Sequence, residues 1–135
     1  YFTSFTSKNE QIWAYTGSPG TYGILWESGV PVQVLPEEYN LAQNYPNPFN
    51  PTTMIEYALP DVPNDRNGMQ IVRLDIYNIL GLRVRTLVNK AQKPGMYQVR
   101  WDGTNSHGTQ MASGIYFYRL QAGKFVKANK MVLIR

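Results

Sequence analysis

Cysteine is absent from this 135-residue chain and histidine occurs once. Without thiols there is neither a disulfide framework nor a thiolate metal site, and redox chemistry leaves no mark of the compartment. A single imidazole offers few ways to orient a nucleophile or a base. His107 stands in the Gly-bounded polar stretch DGTNSHGT, where an exposed loop histidine is the expected reading, so the chain is not expected to be an enzyme. No run reaches the roughly 18 apolar residues of a membrane helix. The first residues, YFTSFTSKNEQIW, lack the three regions of a signal peptide and begin with Tyr, so the chain reads as a fragment of a larger protein. Charge is sparse at 16%, and the thirteen Lys and Arg behind the net +4 are scattered, which predicts no phosphate-tracking stripe and no nucleic-acid partner.

What is plentiful is β-favouring: ten Tyr, eleven Gly and 43% hydrophobic residues suit one compact domain rich in turns, without long helices. Residues 10 to 35 hold short runs broken by GSPG and SGVP, which predict strands around Ile12 to Tyr15, Tyr22 to Trp26 and Val32 to Leu35. These are too few to bury a core, so residues 1–40 read as a linker or the tail of a preceding domain, with residues 41–135 as the main unit.

Between the two lies PEEYNLAQNYPNPFNP. Pro36, Pro46, Pro48 and Pro51 each fix φ and lack a donor, which excludes a helix or a central strand. An extended arm along a sheet edge fits, with Leu41, Tyr45 and Phe49 expected to dock and the chain entering its first strand at Thr52 or Thr53. Beyond it, TMIEYAL sets Ile55, Tyr57 and Leu59 on one face. IVRLDIYN alternates Val72, Leu74 and Ile76 against Arg73, Asp75 and Tyr77, and MYQVRW turns Tyr97, Val99 and Trp101 inward. With RVRTLV, IYFYRLQA and KFVKANKMVLIR, six or seven strands with Gly-marked turns predict an all-β, antiparallel sandwich of immunoglobulin-like type.

The blocks LAQNYPNPFNPTTMIEYALP, VRLDIYNILGLRVRTLV, GMYQVRWDGTNSHGTQMASGIYFYRLQAG and KANKMVLIR resemble the C-terminal sorting domain, type A, of type IX secretion (Por secretion system) cargo. That domain is itself similar to the immunoglobulin-like domain of flagellar hook-capping proteins. The resemblance runs from about Leu41 to Arg135. It implies a secretion signal, recognised by the outer-membrane machinery and its C-terminal-signal peptidase, on a protein that passes through periplasm and outer membrane to the cell surface or the medium. The matching positions are Asn47, Pro48, Gly81, Gly95, Tyr97, Trp101, Asp102, Gly103, Gly114 and Tyr116, with Lys130 to Arg135 at the end. The segment DVPNDRNGMQ is longer than the usual connection.

That loop places Asp61, Asn64, Asp65 and Asn67 together, oxygen ligands of the kind calcium takes, although an ion-free Asx-rich turn is the preferred reading and no cofactor is expected. Trp101, Tyr116 and Tyr118 are expected in the core, whereas Trp13 and Trp26 leave a sugar-stacking surface open for an alternative carbohydrate-binding or adhesion module. No small-molecule substrate is expected, and tyrosine-rich edges leave a strand-swapped or edge-paired homodimer open. The functional expectation rests on the end of the chain, where Lys127, Lys130, Met131, Val132, Leu133, Ile134 and Arg135 form a β-prone basic segment for a receptor to read.

Overall fold

The structure, a computed structural model, describes residues 34–62 and 68–135 in full and the backbone of 2–7, 10–15, 24–27 and 30–33. Those last four stretches are strands β1 (Phe2–Ser7), β2 (Glu10–Tyr15), β3 (Ile24–Glu27) and β4 (Val30–Gln33), paired antiparallel as β1–β2 and β3–β4. Of the strands predicted in this region, β3 starts two residues and ends one residue later than expected, β4 lies two residues earlier, and β1 was not anticipated.

Seven strands follow: β5 (Asn40–Leu41), β6 (Thr53–Leu59), β7 (Gln70–Tyr77), β8 (Arg83–Gln92), β9 (Gly95–Trp101), β10 (Gly114–Ala122) and β11 (Phe125–Leu133). They form two antiparallel sheets, ordered β11-β10-β7-β8 and β5-β6-β9. Sequence alternation decides which face is buried. Ile55, Tyr57 and Leu59 of β6 are fully buried, as are Val72, Leu74 and Ile76 of β7 and Tyr118, Leu120 and Ala122 of β10. Trp101 closes the set from β9, while Tyr97 and Val99, on the same face, are half-buried against it. Each large side chain removed from water in this way contributes about 1.5–3 kcal/mol.

Asp75 departs from simple alternation. It lies on the outward side of β7 yet is buried, because Arg73 Nε (2.7 Å), Thr86 Oγ1 (2.5 Å) and Tyr77 Oη (3.4 Å) close over its carboxylate. A buried carboxylate needs such partners. Two register irregularities between β7 and β8, at Leu74/Asp75 and Ile76/Tyr77, accompany this arrangement.

Tyr57 carries a second buried polar group. Its hydroxyl donates to Gln92 Oε1 at 2.5 Å and its ring stacks on Tyr97, with centroids 5.3 Å apart. Burial pushes the phenol up to about 12, aided by the nearby Tyr97. A phenol whose folded pKa exceeds its unfolded value of about 10 stabilises the fold fully below pH 10, and that contribution is lost as pH rises toward 12. Tyr57→Phe should therefore flatten the alkaline fall in stability without abolishing it, since Tyr116 and Tyr118 are also raised by burial. Urea midpoints of both proteins between pH 8 and 12 check this; parallel slopes would exclude Tyr57 as a contributor.

Candidate functional site: the seat of the C-terminal strand

β10 occupies one side of β11 along its whole length, from Gly114 opposite Leu133 to Ala122 opposite Phe125. The other edge would be a row of open backbone groups, a template for foreign strands. The proline-rich arm covers it. Asn129 Nδ2 donates to the carbonyls of Leu41 (3.1 Å) and Ala42 (3.3 Å), and Gln43 Nε2 donates to the Lys130 carbonyl at 2.8 Å. Farther along, Val132 N–H donates to Asn47 Oδ1 (3.0 Å). Phe49 N–H then donates to Val132 O (3.0 Å), and Ile134 N–H to Phe49 O (2.8 Å). Prolines leave the arm few donors, so side-chain amides supply much of the pairing.

The arm is also tied to β6. Tyr45 and Met54 exchange both backbone hydrogen bonds, and Thr53 Oγ1 links Asn44 Nδ2 to the Pro46 carbonyl. Phe49 is 1% exposed and packs against Trp101, with centroids 5.6 Å apart. One segment thus bridges an edge of each sheet. The peptide bonds before Pro46, Pro48 and Pro51 are cis.

Leu41 and Phe49 dock as expected, but Tyr45 does not; it is 80% exposed. The reason is register. Partners in an antiparallel pair share a face, and Met54 alternates with the inward Thr53 and Ile55, so Tyr45 is turned outward with it. The arm does enter β6 at Thr53, and Tyr39, ahead of the expected boundary at 41, stacks on Phe125 with centroids 4.9 Å apart.

The last residue closes the seat. Arg135 N–H donates to Ser113 Oγ (2.9 Å), its Nε to Met111 O (2.5 Å) and its Nη2 to Gly103 O (2.8 Å). Gly103 has φ +76°, and a Cβ there would lie 2.9 Å from Arg135 Nη2 and 3.1 Å from the Pro51 carbonyl. The left-handed backbone favours glycine, and the close Pro51 carbonyl leaves little room for a Cβ. Beside it, Asp102 accepts from the Thr104 hydroxyl (2.5 Å) and amide (3.1 Å) and from Arg85 Nη1 (3.1 Å). These contacts, the Thr104 hydroxyl foremost, hold its carboxyl below the usual aspartate range. The ion pair is exposed, so its contribution to stability is small. His107 lies exposed at the tip of this loop, its N–H bonded to Asn105 Oδ1.

The structure divides the terminal segment. Met131 and Leu133 face the core and are buried, Val132 is half-buried, and Lys127, Lys130 and Ile134 are exposed. Side-chain recognition by a partner therefore has Lys127, Lys130, Ile134 and the outer face of Val132 to use, with Arg135 engaged on the loop. Trp101 and Tyr116 are core rings in edge contact (5.4 Å), and Tyr116 Oη donates to the Ala112 carbonyl. Gly95 and Gly114 open β9 and β10, and Gly81 (φ +79°) sits in the turn after β7. Asp61 is exposed, while Asn64, Asp65 and Asn67, and the side chains of Trp13 and Trp26, lie outside the described residues. Two features had no signal strong enough to be read in advance: the Arg135 seat and the buried Asn44–Tyr118–Asn129 cluster. Asn129, a polar residue on the inward side of β11, was the one hint.

A family model described as the FlgD Ig-like domain matches residues 66–124, which span β7 to β10. The fold is immunoglobulin-like. Among solved structures, dimeric latent PorU from Porphyromonas gingivalis superposes with a TM-score of 0.54 at 16% identity, covering 99% of this chain and 14% of that chain. PorZ, described as an essential bacterial surface component of the type-IX secretion system of the same organism, gives 0.46 at 18%, covering 98% and 22% respectively. At such identity the PorU likeness is one of fold, and this Ig-like chain spans about a seventh of that protein. No curated protein matches it.

Proposed function

We propose that this Ig-like sandwich is a C-terminal sorting domain of type IX secretion cargo, a non-catalytic address that carries its parent through the outer membrane to the cell surface or medium. Its partners are then the outer-membrane secretion machinery and the peptidase that removes the signal. The observation that supports this best is where the resembling residues lie. Asn47 accepts from Val132 N–H, Trp101 packs on the Phe49 that brackets that strand, and Gly103 accepts from Arg135. Residues widely separated in sequence thus converge on the last strand, so the fold is organised around holding that strand and leaving Lys127, Lys130 and Ile134 exposed.

The test is export of a fluorescent passenger fused ahead of the full chain, in a host with a type IX system. Deleting Lys130–Arg135 removes Met131 and Leu133 from the core, so a surface variant is needed beside it: Lys127→Ala, Lys130→Ala and Ile134→Ser together. The expected result is passenger outside the cell with the intact chain, and passenger held in the periplasm with the folded surface variant. Retention of the intact, folded fusion would overturn the sorting reading. Equal export of the surface variant would show that these side chains are not what is read.

A further inference from the structure

The turn between β7 and β8 carries Ile79, Leu80 and Leu82, which are 69, 78 and 61% exposed. Three adjacent aliphatic side chains held out in water on a tight turn are not explained by packing, because none belongs to the core cluster. The backbone of the turn is nevertheless closed on itself. Asn78 N–H donates to Leu82 O and Gly81 N–H to Asn78 O, both at 3.0 Å. Asn78 Oδ1 accepts from Leu80 N–H (2.9 Å) and Leu82 N–H (3.0 Å). Desolvating this tip therefore strands none of these four amide donors, which lowers the cost of carrying it into an apolar boundary. It also leaves those donors closed to a pairing peptide strand.

Charge adds a second argument. Arg83 follows the tip directly and is exposed, Arg85 comes two residues later, and residues 76–85 contain no acidic side chain. Arg85 is partly neutralised by Asp102, so Arg83 is the cation best placed to meet an anionic surface. We propose that this hairpin tip is a membrane-contact element: Ile79, Leu80 and Leu82 dip into the headgroup and acyl boundary of an anionic bilayer while Arg83 pairs with lipid phosphate. Exposed aliphatic side chains backed by an adjacent basic residue are the physics of interfacial binding. This inference is independent of the sorting reading and stands whatever the parent cargo does.

The experiment is cosedimentation of the full chain with vesicles of phosphatidylcholine, with and without phosphatidylglycerol. The intact chain is expected to partition onto the anionic vesicles about tenfold or more strongly than a Leu80→Ser/Leu82→Ser variant. Arg83→Ala should lower that partitioning about fivefold and have little effect with neutral vesicles. Because these side chains are exposed, both variants should keep the parent near-ultraviolet circular dichroism. Equal partitioning of the parent and the double-serine variant would overturn the proposal. So would lipid-free dimers, seen by analytical ultracentrifugation, that the double-serine variant converts to monomers, since the tip would then be a contact between copies.

Discussion

Replacing Phe49 with alanine is expected to lower stability by about 3–5 kcal/mol, the range for losing a buried aromatic ring together with the cavity it leaves. The ring is 1% exposed and lies 5.6 Å from Trp101, so its loss exposes the face of the largest core side chain. A second effect follows from the backbone. Phe49 accepts from Ile134 N–H and donates to Val132 O, and the neighbouring Asn47 accepts from Val132 N–H. With the ring gone, these hydrogen bonds alone hold this part of the arm on β11, and each is worth about 1 kcal/mol net.

Amide exchange should report the difference. The N–H groups of Val132 and Ile134 are expected to exchange faster in Phe49→Ala by more than the global loss of stability accounts for, because local opening of the arm becomes the easier route. Phe49→Leu, which keeps most of the apolar volume, should recover much of the loss. Tyr45→Ala, at an 80% exposed position of the same arm, should change stability by no more than about 0.5 kcal/mol. A Phe49→Ala protein within 1 kcal/mol of the parent, or with the two amides protected as before, would mean that the prolines hold the arm without the ring.

Period-two alternation made the sandwich legible. Ile55, Tyr57 and Leu59, or Val72, Leu74 and Ile76, have only one way to be buried together on a strand. The arm was legible in kind, since prolines confine it to an edge, but not in destination. Its partners on β11 lie about 85 residues away in sequence, and no local pattern encodes that meeting. Tyr45 misled because its four-residue spacing from Leu41 and Phe49 suggests a common face, whereas the arm doubles back on Met54 between them. The terminal block is resolved more finely by the structure. It reads as a β-prone basic segment, and alternation in KMVLIR separates the inward Met131 and Leu133 from the outward Lys130 and Val132. The Arg135 seat was illegible because two of its three acceptors are backbone carbonyls, of Gly103 and Met111, and the third, the Ser113 hydroxyl, lies 22 residues away.

Tyr118→Phe removes one oxygen and no packing volume, yet it is expected to lower stability by about 1–3 kcal/mol. The ring is fully buried, and its hydroxyl donates to the Ala42 carbonyl (2.6 Å) while accepting from Asn44 N–H (2.8 Å) and Asn129 Nδ2 (3.2 Å). Not all three partners suffer equally. Ala42 O keeps its contact with Asn129 Nδ2, and Asn129 keeps Leu41 O, but Asn44 N–H, in a residue 2% exposed, loses the acceptor it has. The cost is therefore mainly that of one stranded buried amide. A double-mutant cycle with Asn129→Ala separates the terms: a coupling energy of about 0.5 kcal/mol or more is expected, because both side chains hold the same turn of the arm. Urea denaturation of the four proteins measures it. A neutral Tyr118→Phe would mean that the arm shifts to give Asn44 another acceptor, and then the path of the arm to β11 is set by Phe49 and Asn47 rather than by this buried hydroxyl.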